Sequence, residues 1–178
     1  ACILDKPFED KMLDADEATF LFSARGDALS AVAAAADALR QEVSGDTLTY
    51  VVNRNINYTN VCYFKCQFCA FSKGKLTENL RGKPYVLDME EIERRVAEAW
   101  DRGATEVCMQ GGIHPAYTGQ TYLDILAAVR RGAPDIHIHA FTPLEVRQGA
   151  ETLGLPIPEY LGMLKDAGLS TLPGTAAE

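Results

Sequence analysis

No apolar run in this chain approaches the roughly 18–20 residues of a helical membrane span, so its hydrophobic residues are expected to build a core. Positive charge is also scarce. Seventeen Lys and Arg against 25 Asp and Glu leave a net charge of −8, which excludes a nucleic-acid backbone or an anionic membrane as the main partner. Paired cysteines are lacking too: there are five, and three of them cluster, which argues for a metal site over a disulfide framework. No repeat or low-complexity tract occurs apart from the alanine run near residues 31–36. What is present, 178 residues of which 47% are hydrophobic, suffices for one domain with a sizeable core, expected in the cytoplasm. Residue 1 is alanine, and "LSTLPGTAAE" stops just after an expected strand and turn without a closing helix, so the chain is expected to be a piece of a longer polypeptide.

Residues 1–46 read as a polar lead-in followed by a helix, with Leu29, Val32, Ala36, Leu39 and Val43 at helical spacing and "SGD" (44–46) as its stop. Residues 47–178 read as the main domain. "TLTYVVNRNINYTNV" (47–61) is β-branched and aromatic, and predicts a strand running into a cysteine loop. Asp88 with Glu91 starts a helix whose face is Met89, Ile92, Val96 and Trp100, stopped at Gly103. Further strands are expected at 105–110, 135–142 and 169–173, and helices at 121–131 (with Leu123, Leu126 and Val129 inward), 143–153 and 158–167.

This strand–helix alternation implies an α/β fold with a parallel sheet. Four strands would be half of a (β/α) TIM-type barrel, with the active site at the C-terminal strand ends. The cysteine loop, "QGG", "FTP" and "PGTAAE" all fall at those ends. An open doubly wound sheet fits the same rhythm.

Cys62, Cys66 and Cys69 have the spacing C-x3-C-x2-C. A structural zinc site closes with four ligands, and a plain electron-transfer cluster takes four cysteines. Cys2 lies at the start and Cys108 within a strand, where a free cysteine is commonly a small core residue. A [4Fe–4S] cluster held by three thiolates would leave one iron open to a bidentate ligand. A non-radical zinc or iron–sulfur module completed by His114 or Cys108 is the alternative.

C-x3-C-x-aromatic-C directly after a first strand resembles the radical S-adenosylmethionine superfamily. The resemblance implies a [4Fe–4S] cluster on Cys62, Cys66 and Cys69. It also implies S-adenosylmethionine chelated at the open iron and cleaved to a 5′-deoxyadenosyl radical. Phe68 would lie near the adenine, Gln110, Gly111 and Gly112 would meet the methionine amine, and Glu178 would contact the ribose.

"NRNINYTNVCYFKCQFCAFSKGK", "CMQGGIHP", "HIHAFTPLEV" and "LPGTAAE" further resemble the second component of the FO synthase family, in its fused form. That resemblance implies fragmentation of L-tyrosine and transfer of its 4-hydroxybenzyl group to 5-amino-6-(D-ribitylamino)uracil, on the way to the deazaflavin of coenzyme F-420. An electron donor and a partner radical module that closes the ring are implied as well. The radical enzymes of the futalosine route to menaquinone share the loop and the GG element; they are the sister alternative.

Alternation along the third strand predicts His137, His139 and Phe141 on an inward face, with Ile136 and Ile138 against helices. His139 first, and His137 second, are candidate contacts to substrate or cofactor, and His114, beside Pro115, is a candidate contact or proton relay. Lys73 and Lys75 are candidate ligand contacts, and Asn55, Asn57 and Thr59 a polar inner layer. Glu91, Arg94, Arg95 and Glu98 read as a solvated helix face with a Glu91–Arg95 pair.

Overall fold

A computed structural model describes residues 2–64, 69 and 83–174. The chain divides into two compact units, Ala1–Tyr50 and Val51–Glu178.

In the first unit the expected lead-in is ordered into a 3-10 helix, Ile3–Glu9, and helix α1, Ala15–Phe22, before the alanine-rich α2, Asp27–Ser44. A reciprocal cap starts α1: Glu17 N donates to Asp14 Oδ1 at 2.9 Å and Asp14 N to Glu17 Oε2 at 3.0 Å. Lys6 pairs with Glu17, which joins the 3-10 helix to α1. Helix α2 ends at Gly45, whose φ of 62° suits glycine.

The second unit runs β1 (Asn53–Asn57), α3 (Met89–Asp101), β2 (Glu106–Gln110), α4 (Gly119–Gly132), β3 (His137–Ala140), α5 (Pro143–Leu153) and α6 (Ile157–Asp166). The strands form a parallel sheet in the order β1-β2-β3. The first strand is much shorter than its β-prone sequence, because β2 offers it only Glu106–Gln110 as ladder partners. At the expected fourth strand, Thr171 makes a single parallel bridge to His139.

One sheet face is apolar. Ile56, Val107, Met109, Ile138 and Ala140 are buried against Ile92, Val96, Ile125, Leu126, Val129, Val146 and Leu164 of the helices. Each such Val, Leu, Ile or Met side chain contributes about 1.5–3 kcal/mol when removed from water. Two helix faces differ from their sequence reading. Trp100 is 43% exposed while Ala99 is buried, and Leu123 is only partly buried beside the fully enclosed Tyr122. The expected Glu91–Arg95 pair forms on α3, with Arg95 Nε 2.7 Å from Glu91 Oε1. Of that face, however, Arg94 alone is exposed: Glu91, Arg95 and Glu98 are half-buried, and Arg54 Nη1 lies 2.8 Å from Glu98 Oε2.

Candidate active site

Strand alternation gives the sheet a second, polar face. Register aligns Asn53, Glu106 and His137 in one row, Asn55, Cys108 and His139 in the next, and Asn57 with Gln110 nearest the strand ends. Asn53 Nδ2 donates to Glu106 Oε1 at 3.2 Å. The Thr171 hydroxyl lies 2.9 Å from His137 Nε2 and 2.6 Å from His139 Nδ1. One hydroxyl carries one proton, so with neutral rings it donates to one imidazole and accepts from the other. With its Nδ1 engaged by Thr171, His139 has no hydrogen-bond partner at Nε2 among the described residues.

Two sequence readings fail on this face. Cys108 is half-buried among these polar rows and is not a core residue; burial, then the nearby Glu106 charge, pushes its thiol up. Phe141 breaks the alternation: its φ of 65° is left-handed, which turns its ring into the helix-side core, 5.1 Å from Tyr122 and 6.2 Å from Tyr58.

The near end of the cysteine loop is fixed on two sides. Asn60 is buried, accepting from Tyr85 N at 2.9 Å and donating to Lys83 O at 3.1 Å, and the Thr59 hydroxyl donates to Tyr85 O at 2.8 Å. On the other side Tyr63 N donates to Ile113 O at 3.1 Å and Gly112 N to Thr59 O at 2.9 Å. The glycine pair is needed for close approach. A Cβ on Gly111 would lie 2.2 Å from the Tyr58 ring; one on Gly112 would lie 2.3 Å from the Val61 carbonyl oxygen and 2.9 Å from Cys62 Cβ. Neither glycine has a positive φ.

Gly112→Ala is therefore expected to push the loop off its seat, with overpacking costing about 1–3 kcal/mol. A lower melting temperature and reduced iron after reconstitution are the expected readouts. Unchanged iron would show that the loop does not depend on this contact.

Sequence reasoning missed Glu145, which is fully buried. Its Oε2 accepts from Thr142 N at 2.7 Å, and its Oε1 from Gly111 N at 3.0 Å and from the Tyr58 hydroxyl. The available signal was "TPLE", a capping box with proline in the first turn of α5. Burial pushes its carboxyl up to about 8, against the pull of the Thr142 and Gly111 N–H donors.

A folded pKa near 8 above an unfolded value of 4.5 means that the folded state holds the proton more tightly. This contribution to stability is full below the unfolded value and is lost as pH rises through the folded one. Denaturation midpoints of the wild type are expected to fall across that window, and those of Glu145→Gln to fall less; equal slopes would disprove the assignment.

His114 is braced, with Nδ1 accepting from Ala116 N at 3.1 Å and its ring stacked 4.7 Å from Tyr117. Gln148 Nε2 holds the same loop through His114 O at 2.9 Å and Tyr117 O at 3.1 Å.

The structure thus brings Cys62 to the Gln110–Gly111–Gly112 turn, with His139 one row below Gln110 in the sheet and His114 in the following loop. Cys62 is half-buried and Cys69 exposed. Cys66, Phe68, Lys73, Lys75 and Glu178 lie outside the described residues. Among the described residues no three His, Cys, Asp or Glu side chains gather to hold a metal ion. The donor chemistry fits a cluster: Cys62 is half-buried and Cys69 exposed, so neither is a sealed core thiol, and the Cys62 backbone is seated against Gly112, where a side chain would collide with the Val61 carbonyl oxygen and Cys62 Cβ.

The family model for the radical SAM superfamily matches residues 56–176. The chain belongs to the radical SAM superfamily. Within it, the chain is 49% identical over 163 residues to the FO synthase of Streptomyces coelicolor, covering 92% of this chain and 18% of that protein. It is 52% identical over 146 residues to the 5-amino-6-(D-ribitylamino)uracil–L-tyrosine 4-hydroxyphenyl transferase of Methanocaldococcus jannaschii, covering 80% of this chain and 40% of that one. The chain therefore spans less than half of either relative's length.

Among solved structures the same fold recurs in methylornithine synthase PylB, at 17% identity and a TM-score of 0.59, over 97% of this chain and 58% of that one. It recurs also in the FeFe-hydrogenase maturase HydG of Carboxydothermus hydrogenoformans, at 17% identity and a TM-score of 0.59, over 97% and 46%. No described helix is long and apolar enough to cross a membrane.

Proposed function

We propose that this chain is the cluster-bearing part of a radical SAM transferase that moves the 4-hydroxybenzyl group of L-tyrosine onto 5-amino-6-(D-ribitylamino)uracil in deazaflavin biosynthesis. The observation that carries the reading is the identity of about half to an FO synthase and to a tyrosine hydroxyphenyl transferase, over the stretch that seats Cys62 against Gly112. On this reading residues 47–178 supply the first strands and helices of a (β/α) barrel, and residues 1–46 a helical lead-in.

Cys62, Cys66 and Cys69 would hold a [4Fe–4S] cluster. Phe68 would flank the adenine of S-adenosylmethionine, Gln110, Gly111 and Gly112 its amino-acid end, and Glu178 its ribose. When bound, the cluster and S-adenosylmethionine supply a 5′-deoxyadenosyl radical. The chain's own contribution is placement. The row Asn55–Cys108–His139 offers amide, thiol and imidazole groups to a polar substrate, with His139 oriented through Thr171 so that Nε2 is the available nitrogen. His114, braced at Nδ1, is the second candidate contact. An electron donor and a second radical module that closes the ring complete the proposed setting in the cytoplasm. Tyrosine-dependent release of 5′-deoxyadenosine by the full-length polypeptide, with mass detection of the adduct, tests the reading.

A further inference from the structure

The glycine turn owes its shape to an arrangement outside the cysteine motif. Both of its amides are engaged within the protein: Gly112 N donates to Thr59 O at 2.9 Å, and Gly111 N donates to Glu145 Oε1 at 3.0 Å. The groups such a turn can still offer a ligand are carbonyl oxygens, which accept. It is thereby suited to a ligand that donates, such as an ammonium, and unsuited to an anion, which would need the amides.

Glu145 is the piece that comes from farthest away. It stands in the first turn of α5, yet its carboxyl joins the ends of all three strands: Tyr58 just past β1, Gly111 just past β2 and Thr142 just past β3. The Tyr58 ring fills the space where a Gly111 side chain would stand, and its hydroxyl returns to the same carboxyl. A phenol can donate to a carboxylate or accept from a carboxylic acid, so this tie persists in either protonation state. A helix cap alone would need only the Thr142 amide; the Tyr58 and Gly111 contacts are additional, and both lead to the turn.

We propose that Glu145 is a positioning residue for S-adenosylmethionine: by holding the Gly111 amide, with Tyr58 packed beneath it, it sets the Gly111–Gly112 turn to receive the ammonium of the methionine moiety. The proposal rests on the S-adenosylmethionine site proposed above, not on the choice of tyrosine as substrate.

The test uses the full-length polypeptide, reconstituted anaerobically, with Glu145→Gln, Tyr58→Phe and, as a destabilised control, Leu164→Ala in the core of α6. Glutamine keeps the size of the side chain but replaces one acceptor oxygen with a donor, so it cannot satisfy both backbone amides. Equilibrium binding of S-adenosylmethionine, measured without reductant or tyrosine, is expected to weaken about tenfold in Glu145→Gln, equivalent to about 1.4 kcal/mol. Tyr58→Phe keeps the ring and is expected to weaken binding less. Iron content should match the wild type in both.

Leu164→Ala should lower the melting temperature without changing affinity for S-adenosylmethionine. If Glu145→Gln also lowers only the melting temperature, Glu145 is a helix cap and the proposal fails. It fails equally if iron is lost in proportion to binding, since Glu145 would then act on the cluster. Wild-type protein that holds its iron but does not bind S-adenosylmethionine would instead overturn the proposed function, and the two failures are told apart by that arm.

Discussion

Replacing Cys62, Cys66 or Cys69 by alanine in the full-length polypeptide is expected to abolish S-adenosylmethionine cleavage. Three thiolates are the fewest that hold a cubane with one open iron, and the loss of one leaves a cluster on two. Iron content and 5′-deoxyadenosine release after anaerobic reconstitution are the measurements, and both are expected at background. Cys108→Ala is the matched control. Its thiol lies on the polar sheet face between Asn55 and His139, and burial pushes it up, away from the thiolate that would ligate iron. It should keep its iron. Undiminished product from any of the three loop variants would overturn the ligand assignment, and iron loss in Cys108→Ala would revive a four-cysteine site.

The second large effect concerns substrate. The full-length polypeptide should cleave S-adenosylmethionine strongly only when L-tyrosine is present, and addition of 5-amino-6-(D-ribitylamino)uracil should give a 4-hydroxybenzyl adduct. His139→Ala should lower adduct formation by about tenfold or more while leaving iron content unchanged, since a lost charged or polar contact to substrate is worth about 1.5–3 kcal/mol. The reason is position: His139 lies one register row below Gln110, in the sheet rather than in the cysteine loop. Anaerobic single-turnover mixtures, analysed by liquid chromatography with mass detection beside futalosine-pathway substrates, decide the question. Turnover of those substrates without tyrosine-dependent deoxyadenosine would assign the chain to the menaquinone sisters.

What the sequence determined by itself is what local chemistry controls. The spans of α3, α5 and α6 follow from apolar spacing, capping residues and glycine stops, all within a few residues of one another. The parallel order of the sheet followed from strand–helix alternation, and the three-cysteine motif was readable because Cys62, Cys66 and Cys69 are neighbours in the chain.

Only the tertiary structure decided the rest, because each remaining feature depends on partners distant in sequence. The strand predicted over 47–61 is limited to Asn53–Asn57 by the length of β2. Phe141 leaves its expected face for a ring cluster with Tyr58 and Tyr122. Thr171 joins His137 to His139, and Glu145 reaches Gly111 and Tyr58, 34 and 87 residues away along the chain. A buried carboxyl must find donors wherever the fold brings them, and no spacing rule in the sequence records where those donors will be.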